Sequence, residues 1–251
     1  DDKFIIVYIL YFDNGQDNYI KGQIFDKNGS PIGSEVEFKY HKDNEMFNPF
    51  VSFLPNGNLL LAWTEQRSKT SDPNQDIVAR FFNGSGGTIS GKNEFVVNPR
   101  QNQWQRNAQI TVLSNNDIII TYTSYGYDGD GEGIYARTYD INGTAKATVS
   151  GRNEDHDFNV NEISYGHQIA PSIHALEDCK YIIGWIDDNN NKSLVTKIYT
   201  DYTTCNSVVD MDTKSLVLFK DNSKSEYDID IGSADSKTTY KVNLDLKANV
   251  E

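Results

Sequence analysis

The side chains of this chain best suited to chemistry are acidic and sit between glycines. Asp128, Asp130 and Glu132 alternate with Gly129, Gly131 and Gly133, which offers hard oxygen ligands on a pliable backbone, a donor set suited to calcium. Related acidic pairs recur at Asp13 and Asp17, Asp72 and Asp76, and Asp187 and Asp188. The competing reading is that Asp, Asn and Gly make turns, and the twelve-residue loop of an EF-hand is not present. Asn28, Asn83, Asn142 and Asn191 each head a glycosylation sequon. Three of these are Asn-Gly pairs spaced 55 and 59 residues apart, as if one exposed turn recurred. The only cysteines, Cys179 and Cys205, flank neighbouring strand ends of one hairpin, so a disulfide and an oxidising compartment are expected.

Motifs for catalysis are missing. His41, His156, His167 and His174 have no metal-ligand spacing, and Asp155-His156-Asp157 reads as solvated charge. There is no Gly-x-Ser-x-Gly and no phosphate-cradling glycine loop. Abundant Asp and Glu leave a glycosidase carboxylate pair open, and Trp104 and Tyr125 are aromatic rings placed to stack on sugars. Trp63 and Trp185 fall instead at a repeated strand position and are expected in the core.

The net charge of -13 and pI of about 4.7 argue against nucleic acid or an anionic membrane as partner, since both would be repelled. No apolar run approaches the ~20 residues that span a bilayer. The longest, Phe4 to Leu10, is strand-length and lacks the flanks of a signal peptide.

The elements that must position these groups are strands. Aromatic and β-branched residues alternate with Asn, Asp and Gly clusters, and helical periodicity is lacking. Four apolar runs end on a large aromatic, at Tyr8, Trp63, Tyr122 and Trp185, at intervals of 55, 59 and 63 residues. Such continuous runs suit strands covered on both faces. Around each run lie an upstream alternating strand, an acidic loop, a third strand such as Ile134-Tyr-Ala-Arg-Thr-Tyr139, an Asn-Gly turn and a weak fourth strand. A sheet of this kind cannot bury both faces alone, so the units must stack or close radially. The expected fold is all-β and β-propeller-like, with about four blades of three to four antiparallel strands and a C-terminal β tail. Units fall near 1–45, 46–100, 105–165 and 168–210, and 211–251 forms an extension with candidate closing strands at 215–219, 227–231 and 239–246.

The stretch Tyr127-Asp-Gly-Asp-Gly-Glu-Gly-Ile-Tyr-Ala-Arg-Thr-Tyr-Asp-Ile-Asn-Gly143, with Asn93-Glu-Phe-Val-Val-Asn98, resembles a tandem repeat of large secreted bacterial adhesins and calcium-associated exoproteins. The resemblance covers roughly residues 1–200 and implies an extracellular binding or structural module. With no catalytic motif, the sequence predicts a non-enzymatic, secreted structural glycoprotein, a fibre or coat subunit that polymerises with copies of itself by β-strand addition. The alternatives are a monomeric lectin-like propeller and, less favoured, a glycoside-acting enzyme.

Overall fold

A computed structural model describes residues 3–11, 17–42, 45–66, 74–99, 103–127, 129–146, 157–177, 179–189 and 192–200, together with the backbone of three later strands. Among these residues there is no helix; the chain is all-β. Four antiparallel sheets follow one another in sequence. The first holds β1 (Lys3–Tyr11), β2 (Asn18–Asp26) and β3 (Pro31–His41). The second holds β4 (Glu45–Phe53), β5 (Leu59–Gln66), β6 (Gln75–Phe82) and β7 (Phe95–Val96). In the third, β8 (Gln105–Val112), β9 (Ile118–Tyr125) and β10 (Glu132–Tyr139) are completed by β11 (Ala145–Lys146) and β12 (Phe158–Asn159), both on β10. The fourth holds β13 (Gln168–Ala175), β14 (Lys180–Asp187), β15 (Ser193–Thr200) and β16 (Ser215–Leu218). A separate hairpin pairs β17 (Tyr227–Asp230) with β18 (Thr239–Val242).

The apolar runs behave as strands buried on both faces. On β5, Leu59, Leu61 and Trp63 pack toward the first sheet, while Leu60 and Ala62 pack toward the third. On β9, Ile118, Ile120 and Tyr122 face the second sheet and Ile119 faces the fourth. Trp185 closes the same pattern against the third sheet. Each fully buried large side chain contributes about 1.5–3 kcal/mol of hydrophobic free energy, which is why one aromatic per sheet recurs at this place. Tyr8 holds the equivalent position on β1 but lies outside these clusters, its hydroxyl donating to Glu35 on β3. Ser215–Leu218, weighed above as a strand to complete the first sheet, instead pairs with β15 as the outer strand of the fourth.

Three inner strands carry the same irregularity. Register shifts between Phe47 and Phe50, Arg106 and Gln109, and Ile169 and Ser172 mark a bulge in β4, β8 and β13. Asn48, Asn107 and Ala170 take positive φ there. A bulge bends a strand and re-aims the side chains beside it, so each inner strand presents its first residues differently from the rest.

Candidate functional site

The bulged ends of β4 and β8 converge. The Asn48 amide nitrogen donates to Asn107 Oδ1 at 2.5 Å, joining the two bulges. Between them opens a cleft of about 250 Å³ lined by Phe47, Asn48, Thr64, Gln75 and Arg106. Arg106 links the cleft to a buried carboxylate: its guanidinium lies 2.5 Å from Glu132 Oε1, at the start of β10. His167 Nδ1 stands 3.3 Å from the other oxygen of Glu132. Glu132 is 6 % exposed, whereas the His167 side chain is open to solvent. Next to this group the exposed Trp104 ring stacks on Tyr125, with centroids 5.0 Å apart and planes 15° from parallel. Arg106 lies 5.9 Å from the centre of the Trp104 ring. A flat aromatic surface, a cleft and a protein-held carboxylate thus share one end of the sheets.

Two buried amide pairs fix these strand ends. Asn98 Oδ1 accepts the backbone N–H of Ile77, its amide nitrogen donates to Asp76, and it meets the Gln105 amide at 2.9 Å. Asn161 repeats this one sheet later, accepting from Ile134 N–H and meeting the Gln168 amide at 3.0 Å. Gln105 and Gln168 are wholly buried, and each is flanked by groups of the site: Trp104 and Arg106 beside the first, His167 beside the second.

Of the three side chains assigned to calcium, Asp128 lies outside the described residues. Asp130 accepts the Gly166 N–H at 3.2 Å and Glu132 is committed to Arg106 and His167. Asp130 and Glu132 are therefore turned to separate partners, and a cation at Glu132 would have to displace Arg106. Among the described residues no cluster of three or more His, Cys, Asp or Glu could hold a metal. Cys179 is disulfide-bonded; the only other cysteine, Cys205, lies outside the described residues, as does Asn191. Asn28 and Asn142 are exposed at equivalent turn positions, with Asp26 and Asp140 accepting the turn amides. Asn83 is not in their register. It occupies the position of those aspartates, its Oδ1 accepting from Ser85 N–H, Ser85 Oγ and Gly87 N–H. Gly29, Gly86 and Gly143, all at positive φ, fix that alignment, with Ser85 opposite Asn28 and Asn142.

No protein-family model and no curated protein matches the sequence. Solved structures do resemble it. A protein of unknown function from Dyadobacter fermentans matches at 10% identity with a TM-score of 0.52, covering 84% of this chain and 64% of that one. The fold is that of a β-propeller. The GH93 alpha-L-arabinofuranosidase of Fusarium graminearum with arabinobiose matches at 12% identity and a TM-score of 0.47, over 94% of this propeller and 73% of the enzyme. An ulvan lyase of polysaccharide lyase family PL25 matches at 12% identity and 0.47, over 78% of this chain. The propeller spans about half the length of that lyase (52%).

These neighbours correct the expectation of a non-enzymatic, self-polymerising coat or fibre subunit. The two with a named activity are an alpha-L-arabinofuranosidase and a polysaccharide lyase, and neither of these is a fibre or coat protein. Sequence reasoning named Trp104, Tyr125 and Glu132 but did not join them to Arg106 and His167, because Arg106, Glu132 and His167 come from three separate strand ends with no fixed spacing. The signal that links them is positional: Trp104 and Arg106 flank Gln105 as His167 flanks Gln168.

Proposed function

We propose that this propeller acts on carbohydrate, with the saccharide held against Trp104 and Tyr125 and proton transfer assigned to Glu132. The observation that carries this reading is the exposed Trp104–Tyr125 stack beside a buried carboxylate and an open cleft. The apolar face of a sugar ring packs on a flat aromatic surface, and a few placed polar groups then fix its orientation. Arg106 holds Glu132 in position, and His167, accessible to water, exchanges a proton with it. Hydrolysis requires a second carboxylate across the scissile bond; an elimination requires only one base. The disulfide at Cys179 and the exposed sequons at Asn28 and Asn142 support an extracellular setting.

The test is incubation with a panel of neutral and acidic polysaccharides, reading new reducing ends and the ultraviolet absorbance of an unsaturated product. Reducing ends alone mean hydrolysis; both signals mean elimination. Trp104→Ala is expected to weaken saccharide binding about 2- to 12-fold, the size of one aromatic stacking contact of ~0.5–1.5 kcal/mol. Neither turnover nor saturable binding on any glycan would overturn the reading.

A further inference from the structure

The sheet ends that carry the candidate site are tied into one continuous face. At the first seam the Tyr11 hydroxyl, at the end of β1, donates to Met46 O at the start of β4 at 2.7 Å. At the second, the Gln75 backbone bridges to Trp104 and Asn48 donates to Asn107. At the third, Asp130 accepts the Gly166 N–H from the loop leading into β13. No side chain fits at Gly131 there, because its Cβ position falls against the Gly166 carbonyl. Among the described residues the five most exposed aromatic side chains are Phe4, Tyr11, Tyr40, Trp104 and Tyr165. Three of them, Tyr11, Trp104 and Tyr165, stand one at each of these seams. Phe4 lies at the opposite end of β1, and Tyr40 belongs to the face of the first sheet turned away from the second.

Scattered exposed rings are ordinary on a protein surface, but these three recur seam by seam and each is held. Tyr11 is pinned through its hydroxyl, and Trp104 is stacked on Tyr125. The Tyr165 carbonyl accepts from Gln168 Nε2 at 2.9 Å and from Asn189 Nδ2 at 2.6 Å, which fixes the loop that presents its ring. Rigid aromatic side chains give contact area at low entropic cost. Resting on the carbohydrate reading above, we infer that Tyr11, Trp104 and Tyr165 form one track for a polysaccharide chain. Packed sheets stand ~10 Å apart, so a ligand that meets all three rings is a chain of several sugars. Glu132 lies between Trp104 and Tyr165, joined to Arg106 on one side and His167 on the other. The chain is therefore gripped on both sides of Glu132, and the propeller acts on bonds inside it rather than at its end.

Isothermal titration with arabino-, xylo- and galacturono-oligosaccharides, each from disaccharide to octasaccharide, tests the track. Affinity for the class that binds is expected to keep rising beyond the trisaccharide. Tyr11→Ala and Tyr165→Ala are each expected to weaken the octasaccharide about 2- to 12-fold, one stacking contact, and to leave a disaccharide at Trp104 unaffected. Tyr11→Phe and Tyr165→Phe, which keep the ring, are expected to retain wild-type affinity. Tyr165 is 70 % exposed, so its replacement carries little folding cost and decides the matter even where Tyr11→Ala lowers the unfolding temperature. Early digestion products of the parent polysaccharide are expected to be oligosaccharides of mixed length; a single mono- or disaccharide from the outset overturns action inside the chain. Affinity that stops rising at the disaccharide, or wild-type octasaccharide affinity in Tyr165→Ala, overturns the track. If Trp104→Ala still weakens binding in that case, the carbohydrate reading stands without it. Absence of binding by every saccharide removes both.

Discussion

The seam between the second and third sheets and the seam between the third and fourth share one plan and carry different chemistry. At each, a valine carbonyl accepts from a tyrosine of the next sheet: Val97 from Tyr139 at 3.2 Å, Val160 from Tyr199 at 3.0 Å. The following asparagine, Asn98 or Asn161, takes a backbone N–H and meets a buried glutamine seven residues on. The residues flanking that glutamine then diverge. Trp104 and Arg106 flank Gln105, whereas His167 and Ile169 flank Gln168. The clamp is what the repeat preserves. Its flanks project from a rigid strand start and are free to differ, so one seam supplies the aromatic surface and the cation while the other contributes the histidine.

The largest effect expected from breaking this asymmetry is on turnover. Glu132→Gln keeps the shape and an acceptor for Arg106 but cannot carry a proton. Loss of a positioned acid or base lowers rates about 10²–10⁴-fold. Arg106 is partly solvent-exposed, so stability is expected to change by no more than about 1 kcal/mol. Assays of turnover on the best polysaccharide, alongside thermal unfolding, check both halves. A variant that keeps wild-type rate would move proton transfer away from Glu132.

The clamps come next, and they act on stability at both seams. Asn98→Ala strands the Ile77 N–H and removes a donor to the buried Asp76, at an expected cost of about 2–4 kcal/mol. Asn161→Ala strands the Ile134 N–H and removes the donor to Ile163 O, both of them neutral backbone groups, so about 1–3 kcal/mol is expected. Denaturant midpoints measure the difference. If the two costs were reversed, the buried carboxylate would not be what distinguishes the seams.

The repeat was legible because its cause is periodic. Trp63, Tyr122 and Trp185 recur because each of their sheets must fill the same place against its neighbour, and Tyr8 keeps the same strand position. The sequon register was misread at Asn83 because an Asn-Gly pair looks the same at either of two turn positions. Only the backbone shows that Gly86, not Gly84, takes the left-handed conformation matching Gly29 and Gly143. The site was illegible for a different reason. Glu132 belongs to an acidic-glycine loop by sequence, yet it turns inward to Arg106, 26 residues earlier on another strand. Nothing in local composition distinguishes such a carboxylate from a turn residue, because its role is set by a partner the fold delivers.

The smallest effect sharpens the comparison through pH. Tyr139 is held well above the ordinary phenol value of 10.0, chiefly by burial, with Arg137 opposing and Asp157 reinforcing the rise. Tyr122, donating to Asp157 at 2.6 Å, is raised in the same way by burial first. A phenol whose folded value exceeds its unfolded one favours the folded state fully below pH 10. That contribution is lost as pH climbs from 10 toward the folded value. Stability is therefore expected to be insensitive to these groups at neutral pH and to fall above about pH 10. Tyr139→Phe removes one of the two, and Arg137 still donates to Val97 O at 2.9 Å. The expected cost at pH 7 is about 1 kcal/mol or less, with a shallower alkaline fall in unfolding temperature between pH 9 and 11. An alkaline fall as steep as wild type would mean that Tyr139 reaches solvent before the seam opens, and that the clamp at Asn98 holds the second and third sheets together without it.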